Sequence, residues 1–151
     1  MKDIVEKLRK IKDEINAERT TGLLRLFVLI ARADIDGKWD IIVSADWFEK
    51  TNSESDLVYI IQKLKSEFGE NLEFLARIVV ATPKEIFIQQ LGKAILSEKQ
   101  GELGELKDLQ TSLDFKVGHL FVITINFDGI DLSKVEGTND GPLGVKEITA
   151  F

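Results

Sequence analysis

The amino-acid sequence predicts an α/β fold, with α+β as the alternative: a single mixed, mostly parallel sheet with an N-terminal β-hairpin, flanked by helices. Apolar residues recur at helical spacing in three segments, and runs rich in β-branched and aromatic residues alternate with them. Clusters of Gly, Pro, Asn and Asp separate these segments. The predicted order is α-β-β-α-β-α-β, followed by a loop-rich tail.

The composition is typical of one globular domain. The chain has 151 residues, of which 44% are hydrophobic and 30% charged, so it can bury a core. It has no cysteine and a single histidine, His119, which disfavours disulfides, thiol chemistry and cysteine- or histidine-rich metal sites. The N-terminus does not resemble a signal sequence, and the longest apolar run, "LFVLIA", is too short to span a membrane. We therefore expect a soluble, cytoplasmic protein that does not bind membranes.

Charge is distributed unevenly along the chain. The net charge is −6; residues 1–19 carry six Lys or Arg against five Asp or Glu, and residues 20–151 carry fourteen against twenty-one. An acidic body disfavours nucleic-acid binding, because attraction to phosphate needs a basic surface. We expect a single domain over 1–151, made of an amphipathic helix (1–20), an α/β core (22–129) and a tail (130–151).

Four isoleucine and leucine residues line one face of the first predicted helix, which spans about residues 3–18. Ile4, Leu8, Ile11 and Ile15 follow a 4-3-4 spacing, and such a face usually packs on the protein's own core. The alternative is a two-heptad seam for a partner helix. In that case the four residues form an interface for self-association or for another protein.

The dipeptide Asp36-Gly37 lies between two β-rich runs and favours a two-residue hairpin turn. It predicts antiparallel strands at about 23–34 and 39–46, with Asp34 opposite Trp39 and Ala33 opposite Asp40. One face of the second strand is apolar and should lie against helices; it consists of Trp39, Ile41, Val43, Ala45 and Trp47.

The two tryptophans of this face cannot form a single aromatic cage. If the strand continues through both, they are roughly 26 Å apart at about 3.3 Å per residue. We expect each to anchor one end of the sheet against helices. The alternative is that Trp47 is exposed at an oligomer contact.

The remaining segments complete the predicted sheet. "SESD" at 53–56 resembles a capping box that starts a helix ending at Gly69, and "TPKE" at 82–85 places an N-cap at Thr82 and a proline at the first helical position. Strands are predicted at 74–81 and 119–127, with a short strand at "LDFKV". "SEKQGELGELKDLQ" reads as a loop or one helical turn, and "VKEITAF" as an edge strand or a loose end.

Right-handed crossovers would make strands 39–46, 74–81 and 119–127 mutually parallel, so their carboxyl ends would meet at one edge, where ligands bind in open sheets. The helix following Thr82 would add free amides suited to an anion. Capping, turn formation and solvation explain the same residues without a ligand. The candidate ligand-binding residues are Ser44, Asp46, Thr82, Lys84, Asn126 and Asp128.

The acidic residues Asp34, Asp36 and Asp40 suggest a magnesium-dependent hydrolase only if their carboxylates converge. The two-residue turn would point Asp34 and Asp40 to opposite faces, so this alternative is the weakest. We expect no metal and no cofactor. Neither a nucleophile elbow around Ser44 nor a phosphate-binding glycine loop is present.

The segments "KWDIIVSADWF" and "LARIVVATP" resemble small prokaryotic α/β proteins of uncharacterised function, which share a Trp-Asp, three-apolar, Ser-Ala-x-Trp core. The resemblance implies a shared fold over about residues 22–127 and transfers no activity. The favoured function is a non-enzymatic protein-interaction domain that self-associates. The alternatives are an anion-binding or enzymatic site at the strand ends, with Asp46 or Asp128 as base, and the magnesium-dependent hydrolase.

Overall fold

The computed structural model describes residues 1–33, 37–48, 54–110 and 116–133, together with the backbone of 145–148. Within these ranges the α-helices are α1 (Lys2–Glu18), α2 (Glu54–Phe68) and α3 (Ile86–Leu96). The strands are β1 (Leu24–Arg32), β2 (Trp39–Ala45), β3 (Leu75–Ala81), β4 (Glu105–Lys107), β5 (Val117–Ile125) and β6 (Val145–Ile148).

The strands form one mixed sheet in the order β4-β5-β1-β2-β3-β6. A mixed sheet flanked by helices is therefore confirmed, but "mostly parallel" is wrong: among the described strands only β2 and β3 pair in parallel. The strand β1 lies between β2 and β5 and runs antiparallel to both. Its two apolar faces suit this central position. Because β1 reverses the direction once on each side, β2, β3 and β5 still run the same way.

The β1–β2 hairpin differs from the predicted tight turn. Ala31 lies opposite Trp39 and Ile30 opposite Asp40, and residues 33–38 connect the two strands. The predicted pairing of Ala33 with Asp40 is wrong, and Asp34 and Asp36 lie outside the described residues. The observed register differs from the predicted one by three residues, and since β1 is apolar on both faces, its side-chain pattern gave no means of choosing between them.

Helices cover both faces of the sheet. The apolar face of β2 lies in the core with α1 and α2, as predicted: Ile41, Val43 and Ala45 are all fully buried there. The opposite face of β1 packs against α3. This helix lies so close to Phe127 that a Cβ atom added at Gly92 would be 2.4 Å from the Phe127 ring. Glycine at this position therefore permits the contact.

The inner face of α1 packs on the chain's own sheet. Leu8, Ile11 and Ile15 are 0% exposed and Ile4 is half-buried against the same core. The predicted partner-helix seam is therefore wrong for these four residues, because the core already covers them. Among the described residues, no helix is long and apolar enough to cross a membrane.

Three local predictions need correction or comment. Thr82 does not cap α3: the N–H of Glu85 donates to the carbonyl of Thr82 in a turn, and the helix begins at Ile86 with Glu85 as N-cap. The strand β4 occupies part of the segment predicted as a loop, because Leu106 is buried beside β5. The edge strand predicted near the C-terminus is present as β6, whereas Ser53 and residues 111–115 lie outside the described residues.

Candidate functional site at the carboxyl edge of the sheet

The carboxyl ends of β2, β3 and β5 meet at one edge, together with the start of β1. This topology brings the six predicted ligand-binding residues to the same end of the strands. Ser44 lies in β2 opposite Ala81 of β3, and the N–H of Asn126 donates to the carbonyl of Arg25. The edge therefore exists as predicted, but its chemistry depends on a residue that the sequence did not single out.

That residue is Arg25, which is 9% exposed. Its Nε donates to Asp46 Oδ1 at 2.8 Å, and its Nη1 donates to the carbonyl oxygens of Asp128 at 2.6 Å and Asn126 at 3.2 Å. The second oxygen of Asp46 accepts the N–H of Leu23 at 3.0 Å. We call this arrangement the Arg25 clamp, because it joins β1 to the segments that follow β2 and β5.

The clamp keeps Asp46 ionised. Burial raises the pKa of Asp46, but the hydrogen bonds from Arg25 and Leu23 and the positive charge of Arg25 outweigh burial and lower the pKa below its usual value. Both carboxylate oxygens already accept hydrogen bonds. A carboxylate with a lowered pKa and engaged oxygens is poorly suited to take a proton, so these contacts favour a structural role for Asp46 over that of a general base.

The other acidic candidate at this edge belongs to a turn. The N–H of Asp128 donates to Asn126 Oδ1 at 3.0 Å, which is an Asx turn, and Gly129 follows with φ +82°. The side chain of Asp128 is exposed. This geometry matches the simpler interpretation of the pair as chain-turning residues.

Ser44 and Thr82 are 0% and 5% exposed. Their hydroxyl oxygens have no hydrogen-bond partner within the described part of the chain. A buried hydroxyl without a partner is unfavourable, typically by about 1–3 kcal/mol, which favours occupation of the site by a polar group. However, Ser44 is closed to solvent, and Glu85, buried at the N-cap of α3, opposes an anion at the helix start.

A second ion pair lies at the opposite end of the parallel strands, near the starts of β2 and β3. Asp40 is 0% exposed, and Arg77 Nη2 lies 3.2 Å from its Oδ2, across the β2–β3 pair. In the described ranges no group of three acidic, histidine or cysteine residues could hold a metal ion. With Asp40 bound to Arg77, the structure gives the magnesium site no support.

A depression of about 290 Å³ lies between α1 and α2, lined by Asp3, Glu6, Lys7, Lys10 and Glu67. Lys10 Nζ and Glu67 Oε2 pair across it at 3.3 Å. These charges neutralise one another at the surface, and the depression has no buried polar group to orient a ligand.

Trp47 contributes to a cluster at the end of α1. Its ring meets Tyr59 of α2 edge-on, with centroids 5.6 Å apart and planes at 88°. The guanidinium carbon of Arg19 lies 4.8 Å from the Trp47 centroid and 4.6 Å from the Tyr59 centroid. Trp47 and Tyr59 are half-buried, and Arg19 is exposed. The other tryptophan, Trp39, packs against Phe121 at 5.8 Å.

Glu18 is the acidic partner of this cluster. It accepts a hydrogen bond from the Tyr59 hydroxyl at 2.7 Å and pairs with Lys63. The hydrogen bonds from Lys63 and Tyr59 lower the pKa of Glu18, and the bond to Glu18 raises the pKa of Lys63. Burial and the bond to Glu18 raise the pKa of Tyr59. All three groups therefore keep their usual protonation states at neutral pH.

Comparisons with models of protein families, with curated proteins and with solved structures found no match. The resemblance to small prokaryotic proteins stays a prediction. The arrangement of the described residues is therefore the basis for proposing a function.

Proposed function

We propose that this chain is a non-enzymatic protein-interaction domain that self-associates through one surface beside the carboxyl edge. We call it the Trp47 surface and define it as Arg19, Leu23, Trp47, Val58 and Tyr59. The observation that carries the proposal is the half-buried Trp47 packed against Tyr59 beneath the exposed Arg19. Tryptophan, tyrosine and arginine are the residues most enriched among those that dominate binding energy at protein interfaces.

Exposed apolar side chains flank this aromatic centre. Leu23 is 41% exposed and Val58 47% exposed. Leu23 makes two hydrogen bonds with Asp46, the residue before Trp47: its N–H donates to the Asp46 carboxylate and its carbonyl accepts from the Asp46 N–H. Val58 precedes Tyr59 on α2. An apolar centre with a charged margin is the usual composition of a protein contact surface.

The charges around the Trp47 surface favour a second copy of the chain as the partner. Arg19 and Lys63 supply positive charge, while Glu18 and Asp46 supply negative charge and have lowered pKa values. In a twofold dimer the same patch meets itself, so a patch carrying both signs can place each charge opposite its complement. The overall charge of −6 disfavours association through surfaces that lack such positive groups.

Sedimentation velocity over a wide range of protein concentration tests the proposal. We expect a reversible dimer for the native chain and a monomer for Arg19→Glu and for Trp47→Ala. Lys99→Glu is the matched control, because Lys99 is exposed and the change in charge equals that of Arg19→Glu. Circular dichroism on each sample checks that the fold persists.

A native chain that stays monomeric throughout, or a dimer that both Trp47-surface variants leave intact, would contradict the proposal. Dissociation by Lys99→Glu as strong as that by Arg19→Glu would also contradict it. Such a result would show that only the net charge matters, not this surface.

A second candidate function is small-anion binding at the carboxyl edge, supported by the buried Thr82 hydroxyl, which has no hydrogen-bond partner among the described residues, and by the exposed Lys84. Here inorganic phosphate should raise the melting temperature of the native chain, and Lys84→Ala should abolish that rise. Lys99→Ala provides the control. No rise with phosphate, or an equal rise in Lys84→Ala, would exclude this placement.

A further inference from the structure

We infer that the touching rings of Trp47 and Tyr59, whose shared corner under Arg19 we call the cleft, form a cation-binding site that the chain fills with its own Arg19 and that accepts a quaternary ammonium group in its place. Two aromatic rings stand nearly perpendicular, with centroids 5.6 Å apart and planes at 88°. Aromatic faces attract cations through the ring quadrupole, and aromatic cages bind quaternary and methylated ammonium groups through this attraction.

The position of Arg19 shows that the cleft already holds a cation. Its guanidinium carbon lies within 4.8 Å of both ring centroids, well inside the roughly 6 Å over which such attraction operates. One group therefore contacts both rings at once.

The charged groups around the two rings allow one cation to bind there. Glu18 pairs with Lys63, whose Nζ lies 5.6 Å from the Tyr59 centroid, so these two side chains balance each other. Arg19 is the additional positive group at the rings. When its side chain is removed, the two rings and the Glu18 carboxylate remain with a single ammonium nearby, and repulsion toward an incoming cation decreases.

Arg19 is held in a way that allows exchange. It is the C-cap of α1, with extended backbone angles (φ −113°, ψ 97°), and its side chain is exposed. Its contacts with Trp47 and Tyr59 are with the two aromatic rings. A quaternary ammonium group makes no hydrogen bonds and is bound through aromatic faces alone, so it competes directly for the ring contacts.

This inference uses the Trp47 surface but does not require a second copy of the chain. Tetramethylammonium chloride is the probe, with sodium chloride at equal ionic strength as the control. In a Trp39→Phe background Trp47 is the only tryptophan, so its fluorescence reports on the cleft. Ligand-observed NMR provides the second readout, because protons held over an aromatic face shift upfield.

We expect Arg19→Gln in this background to show saturable quenching, an upfield shift of the methyl protons, and an affinity roughly 5- to 30-fold above that of the chain with Arg19. Arg19→Ala, as a second variant, should behave in the same way. Adding Tyr59→Leu should remove the binding while circular dichroism remains native-like.

A response of either Arg19 variant equal to that with sodium chloride would overturn the inference. So would unchanged binding after Tyr59→Leu. Sedimentation of the same samples separates the two proposals: ammonium binding by a chain that never dimerises contradicts self-association alone, and a dimer without ammonium binding contradicts the cation site alone.

Discussion

The inner face of α1 is buried, whereas the Trp47 surface, which adjoins the C-terminal end of the same helix, is partly exposed. Leu8, Ile11 and Ile15 are 0% exposed, whereas Arg19, directly after the helix, is exposed over half-buried rings. An apolar helix face is covered first by the sheet of its own chain, because that burial needs no second molecule. Trp47, which lies two residues beyond the end of β2, is covered less completely and stays accessible to a partner.

The Arg25 clamp connects the Trp47 surface to the sheet. Arg25 belongs to the central strand β1, and it holds Asp46, the residue directly before Trp47. Its contacts with Asn126 and Asp128 fix the end of β5 at the same place. The position of the surface residue Trp47 therefore depends on a nearly buried ion pair.

The largest expected effect comes from placing a charge on the inner face of α1. Leu8→Asp should destabilise the fold by more than about 4 kcal/mol, because an unpaired carboxylate would replace a fully buried side chain. Urea denaturation followed by circular dichroism measures this loss. Ala17→Asp, on the exposed side of α1, should change stability by no more than about 1 kcal/mol. A native-like Leu8→Asp chain would show that this face is not core.

A smaller loss is expected from removing the clamp. Arg25→Met leaves Asp46 and two carbonyl groups without their donor, which should lower the free energy of unfolding by about 3 kcal/mol. Lys84→Met, an exposed cation at the same edge, should cost less than about 0.5 kcal/mol. Equal stability of the two variants in urea denaturation would contradict the role given to Arg25.

The pH dependence of stability isolates the Asp46 part of the clamp. The folded chain lowers the pKa of Asp46 below the ordinary value of 3.8, so its ionised form stabilises the fold above that pH. This contribution disappears as the pH falls through the lower, folded-state pKa. The native chain should therefore be more stable than Asp46→Asn by about 1 kcal/mol at neutral pH.

The two chains should converge in strong acid, where Asp46 is protonated and resembles asparagine. Urea denaturation of both chains at several pH values measures the difference. If the two chains differ in free energy of unfolding by the same amount at every pH, Asp46 contributes through its shape and not through its charge.

A change in stability of similar size is expected for Trp47→Ala, which truncates a half-buried side chain. Loss of its contacts with Phe48 and Tyr59 should cost about 1–2 kcal/mol, well below the effect of Leu8→Asp. Thermal denaturation at a concentration where the native chain is monomeric measures this cost. A loss as large as that of Leu8→Asp would assign Trp47 to the core.

Local patterns predicted most elements because helical spacing and β-branched runs are encoded over a few residues. The periodicity of Ile4, Leu8, Ile11 and Ile15 gave α1, and "RIVV" lies within β3. The hairpin register was not encoded in this way. With both faces of β1 apolar, burial did not distinguish one register from the next.

The contacts at the carboxyl edge could not be read from spacing, because they join distant residues. Arg25 contacts residues 21, 101 and 103 positions away, and the only local signal was one charge within the apolar run "LLRLFVLIA". In the same way, Arg19 and Tyr59 meet Trp47 only after α1 and α2 pack on the sheet. The carboxyl edge was therefore predictable from the sequence, whereas the contacts of Arg25 and Arg19 were not.

The most direct test compares the two tryptophans during dilution. In Trp39→Phe, fluorescence reports Trp47 at the proposed contact; in Trp47→Phe, it reports Trp39, which packs against Phe121 within the same chain. We predict that dilution through the dimer–monomer transition shifts the emission of Trp47 to longer wavelength and leaves that of Trp39 unchanged. A dimer in which Trp39 shifts instead, or neither tryptophan responds, would contradict the Trp47 surface as the site of self-association.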